Sequence, residues 1–212
     1  MAATDVRSRT NDPDRTRADI LDVAAHHFAT HGLSGSRVDE IAEQTHTSKR
    51  MLYYYFDSKE GLYRAVLARA YARIRAHEAE IDLEAMKPAD ALRRLVEITF
   101  DHHRRDVDFV RLVMVENIHR GAHIADVEGI EQRAESVIGI INRLLERGQA
   151  DGSFRSDITA LDLHLTITSL AFFNVSNSHT IERIFRYDMG DEANAAHRRD
   201  VCGDIVLRWV SA

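Results

Sequence analysis

The sequence predicts an all-α protein with a small N-terminal three-helix domain and a larger helical domain after it. Apolar residues recur at helical spacing, and no segment shows the strict apolar–polar alternation of a half-buried strand. The 212 residues include two prolines, which leaves room for long uninterrupted helices. A chain of this length can also bury enough surface for two domains.

The first helix is expected to follow a flexible polar arm at residues 1–14. Gly32 is a natural end for this helix, because glycine adopts the left-handed conformation that commonly closes helices. The predicted inward face collects Ile20, Val23, Ala24 and Phe28.

A short second helix is predicted at 38–44, with Val38, Ile41 and Ala42 inward. Ser36 and Asp39 form a Ser-x-x-Asp pattern close to a capping box, so we expect the Ser36 hydroxyl to accept from an amide of the first turn. A brief interruption at 45–47 then leads into the third helix.

The third helix is predicted at 48–55, with Leu52 and Phe56 directed to the same small core. Two short helices joined by a tight turn behind a longer helix are typical of a helix-turn-helix domain, which we place at 15–60. Either Asp57 or Ser58 is expected to cap the following connector helix.

The connector is assigned to 61–85, because Pro88 follows and excludes a continuing helix. The second domain, 86–212, is predicted to contain helices at 130–147, 158–175 and 193–210. Gly148 is expected to end the first of these.

The charge distribution points to one local patch that attracts anions. The formal net charge is −6, yet no acidic residue occurs from Gln44 to Phe56, where Lys49, Arg50 and His46 lie. The net charge therefore argues against a protein coated with nucleic acid, and any contact with DNA must be local.

The third helix has the residues that a recognition helix needs. Ser48, Lys49, Arg50 and Met51 stand at its start, where lysine or arginine pairs with guanine acceptors and methionine contacts a thymine methyl. Phenol groups at the groove wall donate to phosphate oxygens. We therefore assign phosphate contacts to Tyr53, Tyr54 and Lys59, the last of which lies in the first turn of the next helix.

The alternative for the three tyrosines is that they are core residues. Three adjacent helical positions span an arc of about 200°, so at least one ring must point outward. The role of Tyr55 stays open.

The stretch IAEQTHTSKRMLYYYFDSKEGLYRAV resembles the DNA-binding domain of the TetR family of bacterial transcriptional repressors, and the resemblance runs from Ala18 to Ala65. It implies a homodimer that binds a palindromic operator in double-stranded DNA and is released by a small-molecule effector. The predicted DNA-contacting residues are Ser36, Arg37, Thr47, Ser48, Lys49, Arg50, Met51, Tyr53, Tyr54 and Lys59.

The turn departs from the family pattern, because His46 stands where glycine is usual and Thr47 where an aliphatic residue is usual. Histidine tolerates a positive φ better than most residues, so we expect a strained turn.

The effector is expected to be small and largely apolar, and its binding residues follow from polar groups embedded in apolar helices. For each polar group taken alone, a satisfied core position or an interface contact is the alternative. The embedded polar groups are His102, His103, Asn117, His119 and Asn174. The candidates chosen among these groups and their apolar neighbours are Phe100, His103, Met114, Asn117, Phe172 and Phe173.

The helices at 158–175 and 193–210 are apolar enough to form a four-helix dimer interface, the alternative being an intramolecular core.

We expect neither an enzyme nor a metal site or cofactor. Adjacent histidines on a helix point about 100° apart, which is poor geometry for chelating a metal, and no catalytic motif occurs. Without a membrane span or leader, the protein is expected in the cytoplasm. The competing hypothesis is a helical protein–protein adaptor without DNA binding.

Overall fold

The computed structural model of the chain describes residues 12–79 and 83–212, with side chains over 12–74 and 83–212. Every regular element in these ranges is a helix, and the only extended pairing described is an isolated bridge between Phe154 and Ser211. The all-α prediction is therefore confirmed. The chain divides into two compact units, and the boundary falls between Val66 and Leu67, inside the predicted connector.

The first unit contains α1 (Pro13–Gly35), α2 (Val38–Gln44), α3 (Lys49–Phe56) and the start of α4 (Lys59–Ala79). Its core is a single apolar cluster in which the ring of Phe28 meets the ring of Tyr63 edge-on at 5.1 Å. The other buried apolar residues of this unit are Ile20, Leu21, Ala24, Ala29, Val38, Ile41, Ala42, Leu52, Phe56, Leu62 and Val66.

Helix α1 begins within the predicted arm, most of which (1–11) lies outside the described residues. The Asp12 carboxylate accepts from the amides of Asp14 and Arg15 at 3.1 and 3.3 Å, and Pro13 occupies the first turn, where its missing N–H costs nothing. Gly32 interrupts the helix with φ of 67°, and one more turn extends to Gly35.

The predicted cap of α2 is wrong. Ser36 is buried, and its hydroxyl points back to α1, where it donates to the Gly32 carbonyl at 2.7 Å and lies 3.0 Å from the His27 carbonyl. Arg37 holds the cap position without a side-chain hydrogen bond. The Ser36 amide also donates to the Gly32 carbonyl at 3.2 Å, so both polar groups of Ser36 bond to α1 rather than to the first turn of α2.

The turn between α2 and α3 has the predicted strain. His46 has φ of 51°, in the left-handed region where glycine is more usual. The junction between α3 and α4 is similar, because Asp57 has φ of 63°. Ser58, one of the two candidates, caps α4 by accepting from the Gly61 amide at 2.9 Å.

The second unit takes the end of α4 and six further α-helices, with a short 3-10 turn at Ile124–Asp126. Its core lies where α5, α7, α8 and α10 pack together, with α6 against α5 and α8. The six are α5 (Pro88–Arg105), α6 (Val107–Ile118), α7 (Ile130–Ala150), α8 (Ala160–Ser176), α9 (Ser178–Phe185) and α10 (Glu192–Val210).

Gly148 does not end α7, as the sequence predicted, since the helix continues to Ala150. The glycine instead makes room for the ring of Phe154, because a Cβ at 148 would lie 2.0 Å from the Phe154 Cδ2. The amide of Phe154 donates to the Gly148 carbonyl at 2.9 Å. A glycine needed for close packing thus resembles a glycine that ends a helix.

Candidate nucleic-acid interface

Helix α3 has one buried side and one exposed side. The Ser48 hydroxyl accepts from the Met51 amide at 3.2 Å and fixes the start of the helix. Leu52 and Phe56, one turn apart, are buried in the unit core. The opposite side presents four polar side chains at helical spacing: Lys49, Arg50, Tyr53 and Tyr54.

The three tyrosines divide into different environments. Tyr54 is 75% exposed and Tyr53 is 39% exposed, whereas Tyr55 is half-buried. The Tyr55 ring meets Tyr54 edge-on at 5.5 Å and Phe56 at 6.1 Å. Core packing therefore does not account for Tyr54, and its phenol is available to an external acceptor.

Lys49 makes an ion pair that the sequence did not predict. Its ammonium lies 3.1 Å from one carboxylate oxygen of Asp39 in the first turn of α2. Arg50 has no hydrogen bond or ion pair with any described residue. The exposed side of α3 therefore carries one paired cation, Lys49, and one, Arg50, that has no partner in the part of the chain that the structure describes.

Of the two positions considered before α2, only Arg37 is exposed, with its guanidinium 3.6 Å from Glu40. Since the Ser36 hydroxyl is used within the fold, the geometry favours Arg37 for the predicted phosphate contact. Thr47 and Met51 are half-buried at the start of α3.

Lys59 stands in the first turn of α4, a position that favours anions because the amides of a helix start are unpaired. Its ammonium is 3.5 Å from the Ser34 carbonyl, a long contact at the limit of a hydrogen bond. A phosphate near this turn would meet both the cation and the positive end of the helix dipole.

Two family matches cover most of the chain. Residues 20–66 match the family described as bacterial regulatory proteins, tetR family, and residues 88–206 match the tetracyclin repressor-like C-terminal domain. The chain belongs to the TetR family. It is therefore a DNA-binding transcriptional regulator and not an enzyme, and the match decides against the adaptor hypothesis.

Curated TetR-type relatives match along most of their length. The chain is 35% identical over 200 residues to the HTH-type transcriptional repressor NicS of Pseudomonas putida, covering 94% of each protein. It is 26% identical over 162 residues to the HTH-type transcriptional repressor SCO4008 of Streptomyces coelicolor, covering 76% of this chain and 78% of that protein.

A solved structure shows the same TetR fold. The ketosteroid transcriptional regulator KstR2 of Mycobacterium tuberculosis aligns with a TM-score of 0.68 at 22% identity, covering all of both chains. At this identity the likeness concerns the fold alone.

The second unit contains a cavity of about 530 Å³, a size typical of small-molecule sites in proteins. It lies among α5, α8, α9 and the start of α10. Its lining is Phe100, Arg104, Arg105, Val107, Asn174, Val175, Ser178, Met189, Gly190 and Glu192. Three charged side chains make this lining less apolar than the expected effector implies.

Phe100 from the candidate list and Asn174 from the embedded polar groups line this cavity, whereas the other five candidates are outside its lining. His103 is buried, with Nδ1 2.7 Å from the Thr99 carbonyl and its ring packed edge-on against Phe109 and Phe172. The remaining predicted residues, Met114, Asn117 and Phe173, are exposed on α6 and α8.

The sequence offered a signal for part of the cavity in the adjacent Arg104 and Arg105. It offered none for Glu192, which lies 88 positions from Arg104 and meets it only in the folded chain.

Within the described ranges, no group of His, Cys, Asp and Glu side chains is placed to hold a metal. Over the same ranges, the helices lack the combined length and apolarity of a membrane span.

Proposed function

We propose that the protein represses transcription as a homodimer in the bacterial cytoplasm, binds a palindromic operator and leaves it when a small effector binds. The observation that carries the proposal is the exposed side of α3 in a chain of the TetR family. Repression is supported by NicS and SCO4008, both named as repressors.

In the proposed complex, α3 enters the major groove. Arg50 and Lys49 meet base edges with Ser48, Met51 and Thr47 beside them, because arginine and lysine pair with the guanine acceptors O6 and N7. The outer residues Arg37, Tyr53, Tyr54 and Lys59 bind the phosphates that flank the groove.

The homodimer is supported by an unpaired apolar stripe on α8. Leu161 and Leu165 are more than half exposed, one turn apart, on the side of the helix away from the buried Leu163 and Ile167. Phe173 on the same helix and Ile205 on α10 extend the exposed apolar surface. Two copies that pair through α8 and α10 would cover it and place two α3 helices for a symmetric operator.

The effector is proposed to bind in the cavity of the second unit and to favour a conformation in which the two α3 helices no longer match successive major grooves. Helix α4, which runs from the first unit into the second, is the proposed connector between these events. The apolar part of the effector would contact Phe100, Val107, Val175 and Met189.

The test is selection of bound duplexes from random DNA with the purified full chain, followed by titration of the selected site at several salt concentrations. We expect a palindrome to be enriched. Lys59→Ala should weaken binding to all duplexes and reduce the salt slope of the dimer by about two, because each protomer loses one phosphate contact and each contact releases roughly one counterion.

Lys87→Ala is the matched control, because Lys87 is an exposed lysine in the second unit, at the cap of α5. It should leave both quantities unchanged. Failure to enrich a palindrome would overturn the operator proposal. Equal salt slopes for Lys59→Ala and Lys87→Ala would overturn the phosphate contact alone.

A further inference from the structure

The cavity of the second unit has an uncompensated positive charge. Its lining residues include two arginines, Arg104 and Arg105, but a single acid, Glu192. The class of ligand that the cavity accepts depends on which of these charges is already satisfied within the protein.

Arg104 and Glu192 satisfy each other. The two terminal nitrogens of the Arg104 guanidinium, Nη1 and Nη2, donate to the two carboxylate oxygens of Glu192 at 3.0 and 2.7 Å, in the bidentate geometry that makes such pairs strong. Arg104 also donates to the Gly190 carbonyl at 3.1 Å. These hydrogen bonds raise the pKa of Arg104 and lower the pKa of Glu192, so both groups stay charged.

Arg105 is the charged lining residue without a hydrogen bond or ion pair to any described residue. The adjacent carboxylate of Asp106 is engaged elsewhere, since it accepts from the Phe109 amide at 3.1 Å and lies 3.8 Å from Arg73. Arg105 is thus an exposed residue of the lining, and the five donors of its guanidinium are unused by the described residues.

The other polar side chains of the lining are already bonded. The Asn174 amide donates to the Leu170 carbonyl at 2.6 Å, and its oxygen accepts from Arg198 at 3.1 Å. The Ser178 hydroxyl donates to the Val175 carbonyl at 2.9 Å. A ligand therefore meets one available charge, while apolar surface comes from Phe100, Val107, Val175 and Met189.

We infer that the cavity binds an organic monoanion, with its carboxylate on Arg105 and its hydrocarbon body against these apolar side chains. The inference rests on the proposed effector role of the same cavity and names the ligand class. The competing explanation is that Arg105 only complements the negative end of the α5 dipole, since it lies in the last turn of that helix.

The experiment is calorimetric titration of the full chain, without DNA, with benzoate, 2-naphthoate and octanoate, each compared with its neutral amide. The carboxylates should bind at least about tenfold more tightly than their amides, because hydrogen bonds to a charged partner are among the strong ones. Arg105→Gln should remove this preference.

The matched control is Arg94→Gln, on the same helix but outside the cavity lining, where Arg94 pairs with Glu97 at 3.3 Å. It should leave the preference for carboxylates intact. Glu192→Gln provides a second variant, because it frees Arg104 and should tighten carboxylate binding further.

Equal binding of carboxylates and amides, no binding of any carboxylate at millimolar concentration, or an unchanged preference in Arg105→Gln would each overturn the inference. A preference lost equally in Arg94→Gln and Arg105→Gln would overturn it too. Carboxylates that bind through Arg105 without releasing the selected operator would uphold the ligand class and overturn the effector role instead.

Discussion

Helix α7 contains two glycines that should respond to the same substitution in opposite ways. At Gly139, a Cβ would meet nothing closer than the Arg143 Nη1 at 3.7 Å, which is ordinary contact. At Gly148, it would lie 2.0, 2.4 and 2.5 Å from three ring atoms of Phe154, a residue that is 4% exposed. The ring and a new methyl group cannot both occupy this space.

The expected magnitudes follow from these contacts. Gly→Ala inside a helix gains about 1 kcal/mol of unfolding free energy, and Gly139→Ala should show this gain. Gly148→Ala makes the same gain but must displace a buried phenylalanine, whose lost burial costs about 1.5–3 kcal/mol and whose cavity raises the cost towards roughly 5 kcal/mol. We therefore expect a net loss of about 0.5–4 kcal/mol.

The assay is thermal and denaturant unfolding of the full chain, followed through the transition of the second unit. A loss of 2 kcal/mol should lower Tm by roughly 4–8 °C. In a Phe154→Ala background the ring is absent, so Gly148→Ala should become neutral or stabilising. The reasoning is refuted if Gly148→Ala is as stable as the parent protein, or if its cost persists without the ring.

Three further changes test the first unit and the dimer. Asp39→Asn removes the carboxylate 3.1 Å from Lys49 in each protomer, so affinity for all duplexes should rise a few-fold and the salt slope of the dimer should steepen by about two; unchanged titrations would contradict this. His46→Gly should stabilise the first unit by about 0.5–1 kcal/mol in thermal unfolding. A non-glycine residue at φ of 51° costs about 1–3 kcal/mol, and the greater conformational entropy that glycine loses on folding offsets part of the gain from removing this strain. A lower Tm would count against the strain. Leu161→Glu with Leu165→Glu should give a folded monomer by light scattering and circular dichroism, whereas an intact dimer would place the interface elsewhere.

The elements of the first unit were predictable because their signals are local. Helix α2 has the predicted bounds and buried residues, and the apolar positions Leu52 and Phe56 define the inward side of α3. These features depend on residues within about one or two helical turns, which spacing and residue type reveal. The positive φ of His46 was expected instead from the resemblance, because the family usually has glycine at this turn position.

The failures share a different origin, because each depends on a partner distant in sequence or on a direction that spacing does not specify. Ser36 precedes a helix as a cap would, yet its hydroxyl serves α1. Gly148 has the composition of a helix end, but its neighbour in space is Phe154. The cavity needs Glu192 beside Arg104, a pairing that no periodicity encodes.

The ion pair between Asp39 and Lys49 affects how strongly and how selectively the chain should bind DNA. The net charge of −6 opposes general attraction to DNA, and even the acid-free segment from Gln44 to Phe56 has its Lys49 paired with Asp39 from the preceding helix. Because Asp39 neutralises Lys49, it weakens binding to the phosphate backbone of any DNA. At the operator, a guanine that accepts a hydrogen bond from Lys49 replaces the lost Asp39–Lys49 ion pair, whereas DNA without a guanine at that position offers no such replacement. If both contacts hold, Asp39 increases discrimination between operator and bulk DNA at the expense of affinity. Titration of Asp39→Asn with the selected operator and with unrelated duplexes tests this. Both affinities should rise, and the ratio of operator affinity to unrelated-duplex affinity should fall.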